Sequence, residues 1–168
     1  MNLQSHDMLV RLYEHERWKC DEAALQAAGI TLKRTLGPDI ARVQQFIRTE
    51  FSDGWANEAS IALYRAPSTC FIAVKDKKVV GFACYDATAK GMFGPTGIQE
   101  ELRGSGVGAA LLVRCLRAMW HDGYVYGVIG GVDDARGFYE KVVGAEVIER
   151  SHPGIYAQMI AIDEKEAD

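Results

Sequence analysis

Several classes of protein are excluded by what this chain contains little of. It has only four cysteines in 168 residues, at positions 20, 70, 84 and 115. None forms a CxxC pair, and their spacing fits neither a zinc site nor a disulfide framework. Three of them sit inside apolar runs, where a thiol acts as a small buried hydrophobe. Four prolines and no serine- or glycine-rich stretch leave no linker and no low-complexity segment. There is no excess of positive charge, since 19 Lys and Arg face 23 Asp and Glu for a formal charge of −4. A nucleic-acid footprint is therefore not expected. No apolar run approaches the roughly 20 residues of a membrane helix, so no membrane partner is expected. Residues 1–16 are too polar for a secretory leader. The expected setting is reducing and cytoplasmic.

What is present is ordinary globular composition, 48% apolar and 25% charged, enough for one domain with its own core. Residues 3–28 read as helical, from Met8, Leu9, Leu12 and Tyr13 to Ala23, Ala24, Leu25 and Ala28, with Gly29 as the stop. Alternation predicts a strand over 30–36. Helical spacing of Ile40, Val43, Phe46 and Ile47 predicts a helix after Gly37-Pro38-Asp39. A loop at Ser52-Asp53-Gly54 and a short helix over 56–65 follow. The runs 70–74 and 79–85, joined by charged residues, predict a hairpin. A strand over 91–98 contains Gly94, Pro95 and Gly97, which predicts a bulge or an unpaired edge.

The strongest helix starts at 107, with Val107, Leu111, Cys115 and Met119 as its apolar stripe and Gly123 as its end. Tyr124 to Val132 reads as a strand. Asp133-Asp134 is the expected cap of a helix carrying Phe138, Tyr139 and Val142. Two last strands are expected over 144–150 and 155–162. The resulting division is a helical extension over 1–29 and a globular α/β domain over 30–168.

The chemistry concentrates at Arg103-Gly104-Ser105-Gly106-Val107-Gly108. Three glycines at alternate positions remove side chains where a ligand would approach. The first-turn N–H groups of the following helix, and its dipole, favour an anion there. A diphosphate suits such a nest, and Arg103 adds a positive charge at its lip. Gly104, Gly106 and Ala109 also fit the dinucleotide pattern GxGxxA. Its context is poor: Gln99 to Leu102 separates strand from glycine, and only Asp133 or Asp134 offers the acidic partner. No GK[ST] follows, which excludes a P-loop.

With these pieces together, the sequence resembles the GNAT superfamily of N-acyltransferases. Arg103 to Gly108 matches the family's Q/R-x-x-G-x-G/A motif at each defined position. Thr96-Gly97-Ile98 stands where the family's fourth strand, counted from Ile30, meets the acyl-pantetheine arm. Phe138-Tyr139-Glu140-Lys141, followed by Gly144-Ala145, resembles its FYxK…GF segment. The match spans about residues 30 to 162.

The resemblance implies a mixed, mostly antiparallel, twisted sheet flanked by helices and splayed between the fourth and fifth strands. It implies acetyl-CoA as cosubstrate. The pyrophosphate would lie on the backbone from Arg103, Gly104 and Ser105 through Gly106, Val107, Gly108 and Ala109. The thioester would lie beside Thr96, Gly97 and Ile98, with Gly130 and Gly131 leaving room for it. An amine attacks directly, and Tyr139 matches the tyrosine that protonates the leaving thiolate. The base stays open between Asp86, Glu58, Glu50 and a water relay, because Met92 stands near the place where several members carry a glutamate. The asparagine often found before the FY tyrosine is absent. The acceptor pocket is expected to be walled by Trp55, Glu58, Tyr85, Asp86 and a final hairpin near Tyr156, and to suit a small cationic amine. A catalytically inactive acyl-CoA-binding module is the alternative, and a homodimer is admissible.

Overall fold

A computed structural model describes residues 5–160. One seven-stranded sheet organises it, in the order β2-β3-β4-β5-β6-β1-β7. The strands are β1 (His6–Arg11), β2 (Ile30–Arg34), β3 (Cys70–Lys75), β4 (Lys78–Tyr85), β5 (Met92–Ile98), β6 (Tyr126–Val132) and β7 (Glu146–Val147). The helices are α1 (Glu22–Ala27), α2 (Ile40–Glu50), α3 (Asp53–Leu63), α4 (Val107–His121) and α5 (Arg136–Val143). Pairing is antiparallel except between β5 and β6. The mixed, mostly antiparallel sheet with helices on its faces agrees with the expected fold class.

Period-two alternation splits the sheet into two cores. Ile72, Phe82 and Cys84 face α2 and α3, packing on Val43, Ile47, Ala56, Ala59 and Leu63. Phe71, Ala73, Ala83, Tyr85, Phe93 and Ile129 face the other way, against α4 and the inner side of α5. The stripe Val107, Leu111, Cys115, Met119 is wholly buried there. Among the described residues no helix is long and apolar enough to cross a membrane.

Two regions differ from the sequence expectation. The segment 3–28, expected to be helical, contains strand β1, a 3-10 turn over Leu12–Arg17 and only a short α1; residues 3 and 4 lie outside the described residues. The apolar residues hold two periodicities at once. Met8, Leu9 and Leu12 suit a helix, whereas Met8, Val10 and Leu12 alternate, and it is these three that are fully buried. β1 lies between β6 and β7, so residues 6–11 are an inner strand of the sheet and not a helical extension outside the domain. With β1 beside β6, the end of the chain has no such place to fill. The expected last hairpin reduces to the two-residue β7 and a 3-10 turn over Gly154–Gln158; residues 161–162 lie outside the described residues.

Smaller differences concern helix starts. α3 begins at Asp53, within the expected loop, because the Ser52 side chain accepts from Trp55 N at 3.1 Å. Asp133 and Asp134 do not cap α5; its N-cap is Ala135, with no side-chain cap.

Candidate active site

The parallel pairing of β5 and β6 has two rungs, Met92↔Val128 and Phe93↔Ile129. Beyond Gly94 and Gly130 the strands have no further rung, and the sheet forks. The expected bulge lies at the same place. On the other edge, β5 goes from Phe93 to Thr96 while β4 goes only from Tyr85 to Ala83, so β5 carries one extra residue. Past Phe93, the β6-facing edge of β5 therefore offers backbone donors and acceptors with no strand partner among the described residues.

β5 leads from the fork to the glycine turn. Gly104 and Gly106 have φ of +79° and +92°, and Gly106 is the left-handed N-cap of α4. A Cβ at either position would meet nothing within 4 Å. The glycines are there for backbone conformation, which L side chains resist, and not for crowding. The first intrahelical bond of α4 is Ala110 N to Gly106 O, 3.0 Å, so the amides of Val107, Gly108 and Ala109 are first-turn donors. Arg103 to Gly106 are exposed. Gly108 plays another part: its position lies 3.6 Å from Ile98 and 3.9 Å from Phe138, so the glycine turn, β5 and α5 converge there.

Each face of the fork's base carries a tyrosine. On the α4 side Tyr139 is 8% exposed, with its ring edge-on to Phe93 at 6.3 Å and to Phe138 at 5.1 Å. Burial pushes its phenol up to about 12, so it stays protonated at neutral pH. On the α3 side Tyr156, from the C-terminal turn, lies over Gly130. A Cβ on Gly130 would fall 2.6 Å from the Tyr156 hydroxyl and 2.3 Å from the Met92 methyl.

The sequence-proposed carboxylates separate. Glu58, half-buried on α3, accepts a hydrogen bond from the Thr88 hydroxyl. Burial first, and the Glu58 charge after it, raise the Tyr156 phenol. Asp86 is buried, but both its oxygens are engaged in the β4–β5 connection. Oδ1 accepts from Gly91 N at 2.7 Å and Oδ2 from the Tyr124 hydroxyl at 2.8 Å. It serves as a tie that holds a residue of φ +56° in place. Glu50 is exposed and lines a groove of about 480 Å³ at the β3–β4 turn, with Lys75 and Lys78. Tyr85 is buried on the α4 side and donates to Asp122 at 2.6 Å, so it does not wall an α3-side pocket.

Thr96 and Gly97 are also committed. The Thr96 hydroxyl donates to Phe82 O at 3.0 Å. The Phe51 ring lies flat over Gly97, where a Cβ would fall 2.3 Å from it. Phe51 in turn stacks on Trp55, with centroids 5.3 Å apart and planes at 22°, which leaves Trp55 40% exposed beside the fork. Phe51 and Thr88 were missed from the sequence. A helix-end phenylalanine had no motif to mark it. The glycine at 97 was its signal, since close approach by an aromatic ring is one reason for a glycine within a strand.

Several solved structures similar to this chain are GNAT proteins. A GCN5-related N-acetyltransferase from Sphaerobacter thermophilus superposes with TM-score 0.64 at 19% identity, over 85% of this chain and 48% of its own. A GNAT family acetyltransferase from Brucella melitensis, in complex with acetyl-CoA, gives 0.54 at 18%, over 71% and 86%. A GCN5-related glucosamine N-acetyltransferase region of a fungal multi-domain beta-N-acetylglucosaminidase gives 0.67 at 13%, over 86% and 20%. The chain thus spans about half of the length of the Sphaerobacter protein and a fifth of that of the fungal one. No curated protein sequence matches it. The family model described as acetyltransferase (GNAT) family matches residues 40–145, which takes in α2 through α5, the fork and the glycine turn. This chain therefore belongs to the acetyltransferase (GNAT) family.

Proposed function

We propose that the chain transfers an acetyl group from acetyl-CoA to a primary amine by direct attack in the β5–β6 fork. The observation that carries this reading is the fork itself, opening at Gly94 and Gly130 and connected by β5 to the glycine turn. The amides of Gly104 and of Gly106 to Ala109 would hold the pyrophosphate, since those of Arg103 and Ser105 already donate to Glu100 O and Leu102 O, and the unpaired edge at Thr96 to Ile98 would receive the amide-bearing arm. The amine nitrogen attacks the thioester carbon, and the carbon–sulfur bond breaks. Unpaired N–H groups of bulged β5 are the donors for the oxyanion. The thiolate takes the Tyr139 proton, whose buried phenol is kept in the acid form. The amine's proton passes to Glu58 or to water, giving an amide and free CoA thiol. Glu58 and the Trp55–Phe51 stack suit a small cationic acceptor with an apolar portion.

One observation favours a second reading, an acyl-CoA-binding module without turnover. Asp86 is tied up and Met92 stands at the fork, so Glu58 is left as the carboxylate nearby. Calorimetry with acetyl-CoA and thiol release with an amine panel separate the readings. Binding with amine-dependent release supports the transferase. Binding with no release from any amine supports the module, and no binding removes both.

A further inference from the structure

The C-terminal turn presents one sheltered side chain to the sheet. Across Gly154–Gln158 only Tyr156 is sheltered, while Ile155 is 56% exposed and Met159 beyond it 70%. The turn hangs from β1 through Asp7. Asp7 Oδ1 accepts from Gly131 N at 2.9 Å, Asp7 N donates to Ser151 Oγ at 2.8 Å, and Gly154 packs by Asp7 Oδ2. The Ser151 hydroxyl in turn donates to Ile148 O at 2.6 Å. This arrangement delivers the Tyr156 ring to one place. Gly130 is the first β6 residue past the last rung, Phe93↔Ile129, and Met92 belongs to the other rung. Ile129 points into the α4-side core, so Gly130 opens on the α3 face, and Tyr156 lies on it. Gly131 has φ +60°, and a Cβ there would lie 3.5 Å from the same ring. Two successive glycines thus leave a seat for one aromatic ring, at the base of the fork and opposite Tyr139.

We propose that Tyr156 sets the selectivity for amine over water: its ring caps the α3-side mouth of the fork and shields the thioester until an acceptor displaces it. This rests on the reading that the fork holds acetyl-CoA. A capped thioester resists hydrolysis, in which water attacks the carbonyl carbon, the carbon–sulfur bond breaks, and acetate and CoA thiol form. Exclusion of water from a reactive group is a recognised task of closing elements. The half-buried phenol, raised further by Glu58 and Asp7, remains uncharged at neutral pH, as a cap on an apolar fork requires. The capping element lies outside residues 40–145, the span that this chain shares with the family model.

The test uses acetyl-CoA with no amine, following thiol release, alongside calorimetry with acetyl-CoA. The parent should release thiol at the rate of buffer alone. Tyr156→Ala should hydrolyse acetyl-CoA about tenfold faster or more, with unchanged affinity. Tyr156→Phe, which keeps the ring, should behave as the parent. Tyr156→Leu, which keeps an apolar side chain but not the ring, should match Tyr156→Ala; it guards against a turn variant that fails to fold. Parent-like hydrolysis in both uncapped variants overturns the proposal, as does a Tyr156→Phe variant as leaky as Tyr156→Ala. A parent that does not bind acetyl-CoA sinks the proposed function, and this inference with it.

Discussion

The two ends of the β5–β6 fork are built from different materials. At the proposed pyrophosphate end the parts are backbone: two left-handed glycines and the first-turn amides of α4, with Arg103 beside them. At the proposed acceptor end they are side chains from separate parts of the chain: Glu58 from α3, Thr88 from the β4–β5 connection, and Tyr156 from the C-terminal turn. A backbone site has few ways to vary, because any residue with a Cβ strains it. A side-chain site can change with each of its contributors. The fixed end suits a cosubstrate shared by a whole family. The variable end suits an acceptor specific to one member.

The largest effect expected concerns the chemistry between those ends. Tyr139→Phe keeps the ring against Phe93 and removes the proton. Turnover should fall about 10²- to 10⁴-fold with acetyl-CoA affinity unchanged, measured by steady-state kinetics and calorimetry. An unaltered kcat would leave Tyr139 a packing residue. Because its phenol titrates near 12, its loss of the proton should bring no fall in rate below about pH 11.

Next in size is a direct attack on the backbone end. Gly106→Asp places a side chain and a negative charge on a residue of φ +92° at the mouth of α4. Acetyl-CoA affinity should fall about 100-fold by calorimetry. An affinity equal to the parent's would move the cosubstrate away from this turn and dissolve the contrast between the two ends.

A stability measurement sharpens the acceptor side. Asp86→Asn turns an acceptor-only group into one that must aim an amide at Gly91 N–H and the Tyr124 hydroxyl. Unfolding free energy should drop by about 1–3 kcal/mol, read by denaturant titration, with kcat changed little. A loss confined to kcat would return Asp86 to the role of base.

The smallest effect lies away from the fork. Glu22 accepts two hydrogen bonds from Arg114, at 2.8 and 2.7 Å, and pins α1 to the middle of α4. That bonding holds the Glu22 carboxyl below its ordinary range. A depressed folded value means that the stabilisation is complete above the unfolded value, near 4.3, and is lost as pH falls through the lower folded one. Both side chains are over a third exposed, so Glu22→Gln should cost less than about 1 kcal/mol at pH 7. The difference from the parent should vanish in acid. A difference that persists at low pH would mean packing, not charge.

The same contrast explains what could be read from the sequence. Glycines needed for backbone conformation leave a mark at their own positions, so the turn at 103–108, its helix and the fork strand were legible. So were β3, β4, α2 and α4, whose periodicities are unmixed. The N-terminal strand was not, because Leu9 completes a helical pattern over residues whose buried set alternates. The end of the chain was misread for a related reason: nothing local says that β1 sits beside β6. Asp86 showed the limit most plainly. Its place at the end of β4 was visible, but its partner Tyr124 lies 38 positions away, across one strand and a helix.

The position of β1 also dictates an order of assembly. Its ladder partners are residues 126–132 on one side and 146–147 on the other. A ribosome releases β1 first, yet its neighbours appear only after nearly all of the core has been made. β3 and β4, joined as a hairpin, can pair meanwhile, since their contacts are close in sequence. The first strand must then insert last, between β6 and β7. Until it does, β6 presents a bare edge that another chain could occupy. Removing residues 6–11 should thus leave the glycine turn intact in principle, but give a protein that pairs with its own copies.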